Sequence, residues 1–300
     1  MTRPPARLPS PEAARAASIH ARLLKRAKNK GEDFNLILTR YATERLLYRM
    51  SQSPARDHFL LKGALLFDLW FDQPHRPTRD ADFLGFGPMD AEALAATVRS
   101  ICAIDVDDAM RFDAATISVQ EIREEANYGG LRVRLLGTLG NAKCSLQLDV
   151  GYGDVVTPGP SEVELRTLLE GMPAPRLRIY PRETVVAEKL EAIVSLGMAN
   201  SRMKDYFDLR ALLREGALET KFLPEAIAST FKRRRTALSS DLPVGLTAEF
   251  ATDELKQKQW VAFLRKNALT GPALGEVVGE VASGLSKPLA RAADIAAGKA

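Results

Sequence analysis

The chain has little cysteine, little histidine and no long apolar run, and each shortage removes a class of protein. Cys102 and Cys144 are its two cysteines, 42 positions apart; they make no disulfide framework and fit no zinc-ligand spacing. Both are expected in the core of a reduced, intracellular protein. The three histidines, His20, His58 and His75, form no cluster in the sequence, and His75 reads as an ordinary loop residue. No apolar stretch approaches the ~20 residues that a membrane span needs. The opening MTRPPARLPSPEAARAAS lacks the apolar middle of a secretory signal, so a cytoplasmic protein with no membrane partner is expected. Walker A, His-Glu-x-x-His, Gly-x-Ser-x-Gly and Rossmann glycine patterns are missing too, which takes the usual footholds from hydrolase and dehydrogenase readings.

What is present suits a globular protein. Three hundred residues, 46% hydrophobic and 27% charged, can bury a sizeable core in one large or two moderate domains. The net charge of +4 is uneven: residues 176–300 hold 20 Lys and Arg against 15 Asp and Glu, and the preceding residues hold 22 against 23. A basic C-terminal part suits a polyanionic partner, because Lys and Arg facing phosphates supply most non-specific nucleic-acid affinity. Such a surplus is also common in proteins with no such partner.

The chemistry concentrates in residues 59–86, FLLKGALLFDLWFDQPHRPTRDADFLGF. The pattern predicts a short apolar strand over 59–61, a Lys62-Gly63 turn, an apolar helix over 64–71, a Pro-rich loop and a second strand carrying Asp80 and Asp82. Side chains alternate along a strand, so these two Asp residues project from one side, roughly 6 to 7 Å apart. Carboxylate oxygens suit Mg²⁺, which takes one or two protein carboxylates and fills its octahedron with water and phosphate oxygens. A turn that opens a helix offers N–H groups to an anion. The plain alternative for Asp-x-Asp at a strand edge is a solvated face.

Around this stretch the chain alternates between helix and strand. Three prolines in residues 1–10 predict a frayed tail. Apolar spacing predicts helices over 11–29 and 32–51; Arg22, Lys25, Arg26, Lys28 and Lys30 give the first a basic face, for nucleic acid or for solvent. Asp90 caps a predicted helix over 89–101. Residues 116–124, 131–139 and 143–152 alternate apolar and polar positions and predict a strand meander; in the third, Asp149 points away from the Leu146, Leu148, Val150 face. Prolines over 157–175 predict a linker around one short helix, with an edge strand over 177–180.

A helical half follows. The helix over 182–196 carries Lys189 with its stem flanked by core positions, the usual setting of a snorkelling surface lysine. In Ser-Arg-Met-Lys-Asp-Tyr-Phe-Asp-Leu, residues 201–209, Asp205 and Asp208 share one helix face, and an acidic first turn favoured by the helix dipole explains them equally. Helices are predicted over 221–235, 248–266 and 272–297. The run Lys232-Arg233-Arg234-Arg235 is the densest positive cluster, reading evenly as an RNA grip or a solvated helix end.

Taken in order, Lys-Gly-Ala, Thr-Arg-Asp-Ala-Asp, Leu-Asp-Val-Gly-Tyr-Gly-Asp, and Lys189 followed by Arg202, Asp205 and Asp208 resemble the AbiEii family, nucleotidyltransferase-like toxins of bacterial toxin–antitoxin and phage-defence systems. The likeness covers about residues 60–213. It implies an α+β fold: a nucleotidyltransferase-like, polymerase-β-type mixed sheet with flanking helices over 1–175, and a helical C-terminal domain over 176–300 that closes a nucleotide cleft. It implies Mg²⁺ or Mn²⁺ on Asp80, Asp82 and Asp149, and an NTP site of Lys62, Gly63, Thr78, Arg79, Lys189, Arg202 and Asp208. Asp205 is placed at the active site, with Arg202 and Asp208 buttressing it through ion pairs. The implied acceptor is RNA, with the tRNA 3′ end as target, and the implied partner is an AbiEi-type antitoxin with a winged-helix domain. Ala64 departs from the wider superfamily, which often has serine after that glycine. Asp154 is a weaker site candidate, read as closing a turn. Transfer onto a protein, and a catalytically weak nucleotide-sensing module, are the rival readings.

Overall fold

The computed structural model describes residues 10–71, 75–76, 78, 80–124, 128–214, 218–239 and 241–299. Residues 1–9, expected as a frayed tail, and Arg79 lie outside them. The chain forms two compact units: Met1–Gln73, Thr78–Gly153 and Glu162–Arg178 make one, and Pro74–Pro77, Asp154–Ser161 and Ile179–Ala300 the other.

The first unit holds α1 (Pro11–Lys30), α2 (Phe34–Gln52), β1 (Phe59–Lys62), α3 (Leu65–Trp70), β2 (Asp80–Gly85), α4 (Ala91–Cys102), β3 (Met110–Glu124), β4 (Tyr128–Leu139) and β5 (Ala142–Tyr152). With β6 (Ser161–Glu164) and β7 (Arg176–Ile179), the strands make a seven-stranded mixed sheet in the order β3-β4-β5-β2-β1-β7-β6. Local chemistry sets the helix ends. The Ser10 hydroxyl accepts from Ala13 N, Pro11 stands in the first turn of α1, and Gly31 closes the helix at φ +65°, the left-handed stop that glycine adopts without strain. Asp33 caps α2 and Asp90 caps α4 through side-chain oxygens. One sheet face, with Ala81, Phe83, Leu131, Val133, Leu148 and Val150, is fully buried; α2 packs on β5 and α4 on β3.

Three expectations change here. Residues 157–175 carry the strand β6, not a short helix, and β7 lies inside β6 instead of at the edge. On α1, Arg22 and Arg26 donate to the carbonyls of Glu170 and Leu168, while Lys25, Lys28 and Lys30 are exposed. Part of that basic face therefore fastens a loop of its own chain.

The second unit is helical: α5 (Arg182–Leu196), α6 (Met203–Arg214), α7 (Leu223–Arg234), α8 (Ala248–Thr252), α9 (Glu254–Lys266) and α10 (Leu274–Ala296). The single helix expected over 248–266 breaks at Asp253. That residue is extended, at φ −61° and ψ 126°, and its carboxylate accepts from Lys256 N, because an Asp that caps a new helix gains a hydrogen bond an interior Asp lacks. α7 packs on α5 and α10, and the Tyr206 hydroxyl donates to the Gly245 carbonyl at 2.9 Å. Among the described residues, no helix is long and apolar enough to cross a membrane.

Candidate active site

In the first unit, strand register assembles the site. Gly140 and Asn141 form a two-residue turn between β4 and β5, with Gly140 at φ +56° and Leu139 paired to Ala142; such a turn matches the strand twist and fixes register. Counting back from that tip puts Arg132 opposite Asp149. β5 runs parallel to β2, setting Asp149 beside Asp82 and Gln147 beside Asp80. β1 runs antiparallel to β2, setting Lys62 opposite Asp82. In-register neighbours point to the same side of a sheet, so Lys62, Asp82, Asp149 and Arg132 form one row across four strands, on the face opposite the apolar core.

The row is partly open to solvent. Asp80, Asp82 and Asp149 are half-buried, and Lys62 is buried. Arg132 grips Asp149 as a fork, with Nε donating to Oδ1 at 2.8 Å and Nη2 to Oδ2 at 2.6 Å. That hydrogen bond, helped by the charges of Asp149, Asp80 and Asp82, holds the Arg132 pKa above its usual range against the opposing effect of burial. Gln147 Nε2 donates to Asp149 Oδ2 at 3.4 Å.

Two glycines and a threonine shape the surroundings. Gly63 sits at φ +76°, and a Cβ there would lie 2.1 Å from Asp82 Oδ2 and 2.8 Å from the Asp82 Cβ and Cγ. Only glycine lets this turn rest on that carboxylate. A Cβ at Gly151 would lie 3.8 Å from Lys62 Nζ, so the lysine reaches from β1 over β2 toward β5. The Thr78 hydroxyl donates to the Asp80 carbonyl at 3.3 Å. The helix expected over 64–71 is only the six-residue α3, too short for a developed dipole to draw an anion.

The donor set suits a hard divalent cation: Asp80 and Asp82 offer the one or two carboxylates that Mg²⁺ takes from a protein. Among the described residues, no three His, Cys, Asp or Glu side chains are gathered as a metal-holding group, and both Asp149 oxygens are held by Arg132.

The second unit holds a buried knot of charge. Asp205 and Asp208 on α6 are fully buried, and Lys189 Nζ of α5 stands 2.8 Å from an oxygen of each. Arg202 Nε donates to Asp205 at 2.7 Å. Asp208 also receives Arg76 through Nε at 2.9 Å and Nη2 at 3.1 Å, and His75 Nε2 is 2.9 Å from its Oδ1. Burial alone would raise both carboxyl pKa values, but Lys189 first, then Arg202 for Asp205, and His75 and Arg76 for Asp208, bring them below the ordinary 3.8. Burial pushes Lys189 down and the two carboxylates more than restore it, leaving it raised and charged. Arg202 pairs with Asp205 directly, and Asp208 is joined to Asp205 through ion pairs to their shared lysine.

Several residues escaped the sequence. Arg132 did, although the Gly-Asn turn and the strand alternation together held its partner. His75, expected as an ordinary loop residue, and Arg76 both cap Asp208, contacts more than 130 positions apart in the chain that no local signal announces. Asp154 does more than close a turn. It pairs with Arg234, which also reaches Glu188 and Glu191, so the Lys232–Arg235 run loses its central guanidinium to the unit's interior.

The family model described as nucleotidyl transferase AbiEii toxin, type IV toxin–antitoxin system, matches residues 45–284. None of the curated proteins compared matches the chain. The fold is similar to the crystal structure of JHP933 from Helicobacter pylori, with TM-score 0.48 and 16% identity over 88% of this chain and 95% of that one. It is also similar to a protein described as a candidate nucleotidyltransferase from H. pylori, with TM-score 0.41 and 15% identity over 97% and 98%.

Proposed function

The chain belongs to the AbiEii family of nucleotidyl transferase toxins of type IV toxin–antitoxin systems, and from that premise we propose that it moves a nucleotide from an NTP onto RNA, with the tRNA 3′ end as acceptor. One observation supports this above the rest: Asp82 and Asp149 lie side by side on parallel strands, with a glycine turn pressed against Asp82.

In this reading Asp80 and Asp82 would hold Mg²⁺ or Mn²⁺, which would supply positive charge against the triphosphate and its developing leaving group. Lys62, Thr78, Arg79 and Lys189 bind phosphate oxygens; Gly63 lets the Lys62 turn close on Asp82. Asp149 takes the proton of the acceptor hydroxyl. That oxygen bonds to the α-phosphorus, the bond from the α-phosphorus to the bridging oxygen breaks, and pyrophosphate leaves. Asp205 and Asp208 keep Lys189 charged and fixed in direction, with Arg202 holding Asp205. Fixed charge then supplies most of the rate.

A toxin of this family implies an antitoxin, and we propose an AbiEi-type protein with a winged-helix domain. An RNA acceptor sets the reaction in the cytoplasm, and its outcome is growth arrest in toxin–antitoxin control or phage defence. The test incubates each labelled NTP with Mg²⁺, tRNA and a protein extract. Label on the RNA 3′ end, falling at least about a hundredfold with Asp82→Asn, is the expected result. Label on protein, or full activity in Asp82→Asn, refutes the proposal.

A further inference from the structure

We propose that Arg132 is a positioning residue that occupies Asp149 and must release it before the third carboxylate can join Asp80 and Asp82; this rests on the reading above. The pair is built into the fold. Arg132 and Asp149 are in-register partners on a hairpin whose two-residue turn fixes the count, and both guanidinium bonds are short. Arg132 also lies within electrostatic reach of Asp80 and Asp82. Three carboxylates on one face repel one another, and a guanidinium at the end of their row offsets that repulsion.

The same arrangement sets up a competition. A forked guanidinium uses both carboxylate oxygens, so Asp149 cannot accept a hydroxyl proton or bind a cation without opening at least one of the two bonds. Arg132 then has N–H donors to spare beside the proposed triphosphate site, where an anionic oxygen is the natural acceptor. Arg132 thereby serves two anions in turn: the Asp149 carboxylate first, then substrate phosphate.

The experiment measures Mn²⁺ binding to the full chain by electron paramagnetic resonance. Arg132→Gln should tighten Mn²⁺ about tenfold, the weight of one charge-assisted hydrogen bond in a half-exposed pair. In an Asp149→Asn background the same substitution should change Mn²⁺ affinity less than about twofold. Arg132→Lys, which keeps the charge and loses the fork, should fall between wild type and Arg132→Gln. The proposal is overturned if Arg132→Gln leaves Mn²⁺ affinity unchanged, or tightens it equally in both backgrounds, since that would be simple charge repulsion. Asp82→Asn separates the two levels: if it leaves Mn²⁺ binding intact, the proposed metal site itself is wrong, whatever Arg132 does.

Discussion

On the sheet, Asp82 and Asp149 stand half-buried in a row that ends in Lys62 and Arg132, with Asp80 half-buried beside Gln147 on the same face; on α6, Asp205 and Asp208 are sealed from water around Lys189. Water screens the first group, so its members can lose a partner and gain a ligand at modest cost. The second has no such freedom, because a buried charge stripped of its counterion has nothing to replace it. Under the proposed function, exchange of partners belongs on the sheet and fixed orientation in the helical unit.

The strongest way to break this contrast is Lys189→Ala. It leaves two fully buried carboxylates short of their shared cation and should cost about 3–5 kcal/mol in urea unfolding, whereas Asp82→Asn, tested alongside, should shift stability by less than about 1 kcal/mol. Equal losses would erase the distinction. Next in size is Gly63→Ala. Its left-handed backbone and the overlap with Asp82 should cost about 1–3 kcal/mol and lower nucleotide transfer by displacing that carboxylate; unchanged transfer would show that Asp82 tolerates movement.

The smallest effect concerns acid. Asp205 and Asp208 have folded pKa values below the ordinary 3.8, so as pH falls the unfolded chain takes up their protons first. Their contribution to stability is complete above about pH 4 and drains away below it. Asp208→Asn should flatten that limb in a pH series of melting temperatures, and a limb of unaltered slope would assign it to other carboxylates.

Much of the site could be read from alternation alone. The two-residue period placed Asp80 and Asp82 on one face and turned Asp149 from the apolar side of its strand, and the helix expected over 182–196 is α5 as found. What local pattern could not supply was pairing between distant segments. His75 and Arg76 meet Asp208 through the tertiary fold, and Arg234 looked like one cation among four until the acids of α5 and Asp154 closed around it. The strand β6 was hidden because the prolines on both sides of it dominate the local signal, while the break at Asp253 turned on a capping bond that an amphipathic period does not register.

The hairpin tip at Gly140 and Asn141 carries a further consequence. It lies eight residues along the chain from Asp149, about 27 Å away, yet it behaves as the zero mark of a ruler. Lengthening the loop by one residue while keeping the strands paired would step β4 against β5 and swing one strand's polar side chains into the oily layer. A surface bend remote from the chemistry is thus as intolerant of insertion as the acidic residues it keeps in alignment.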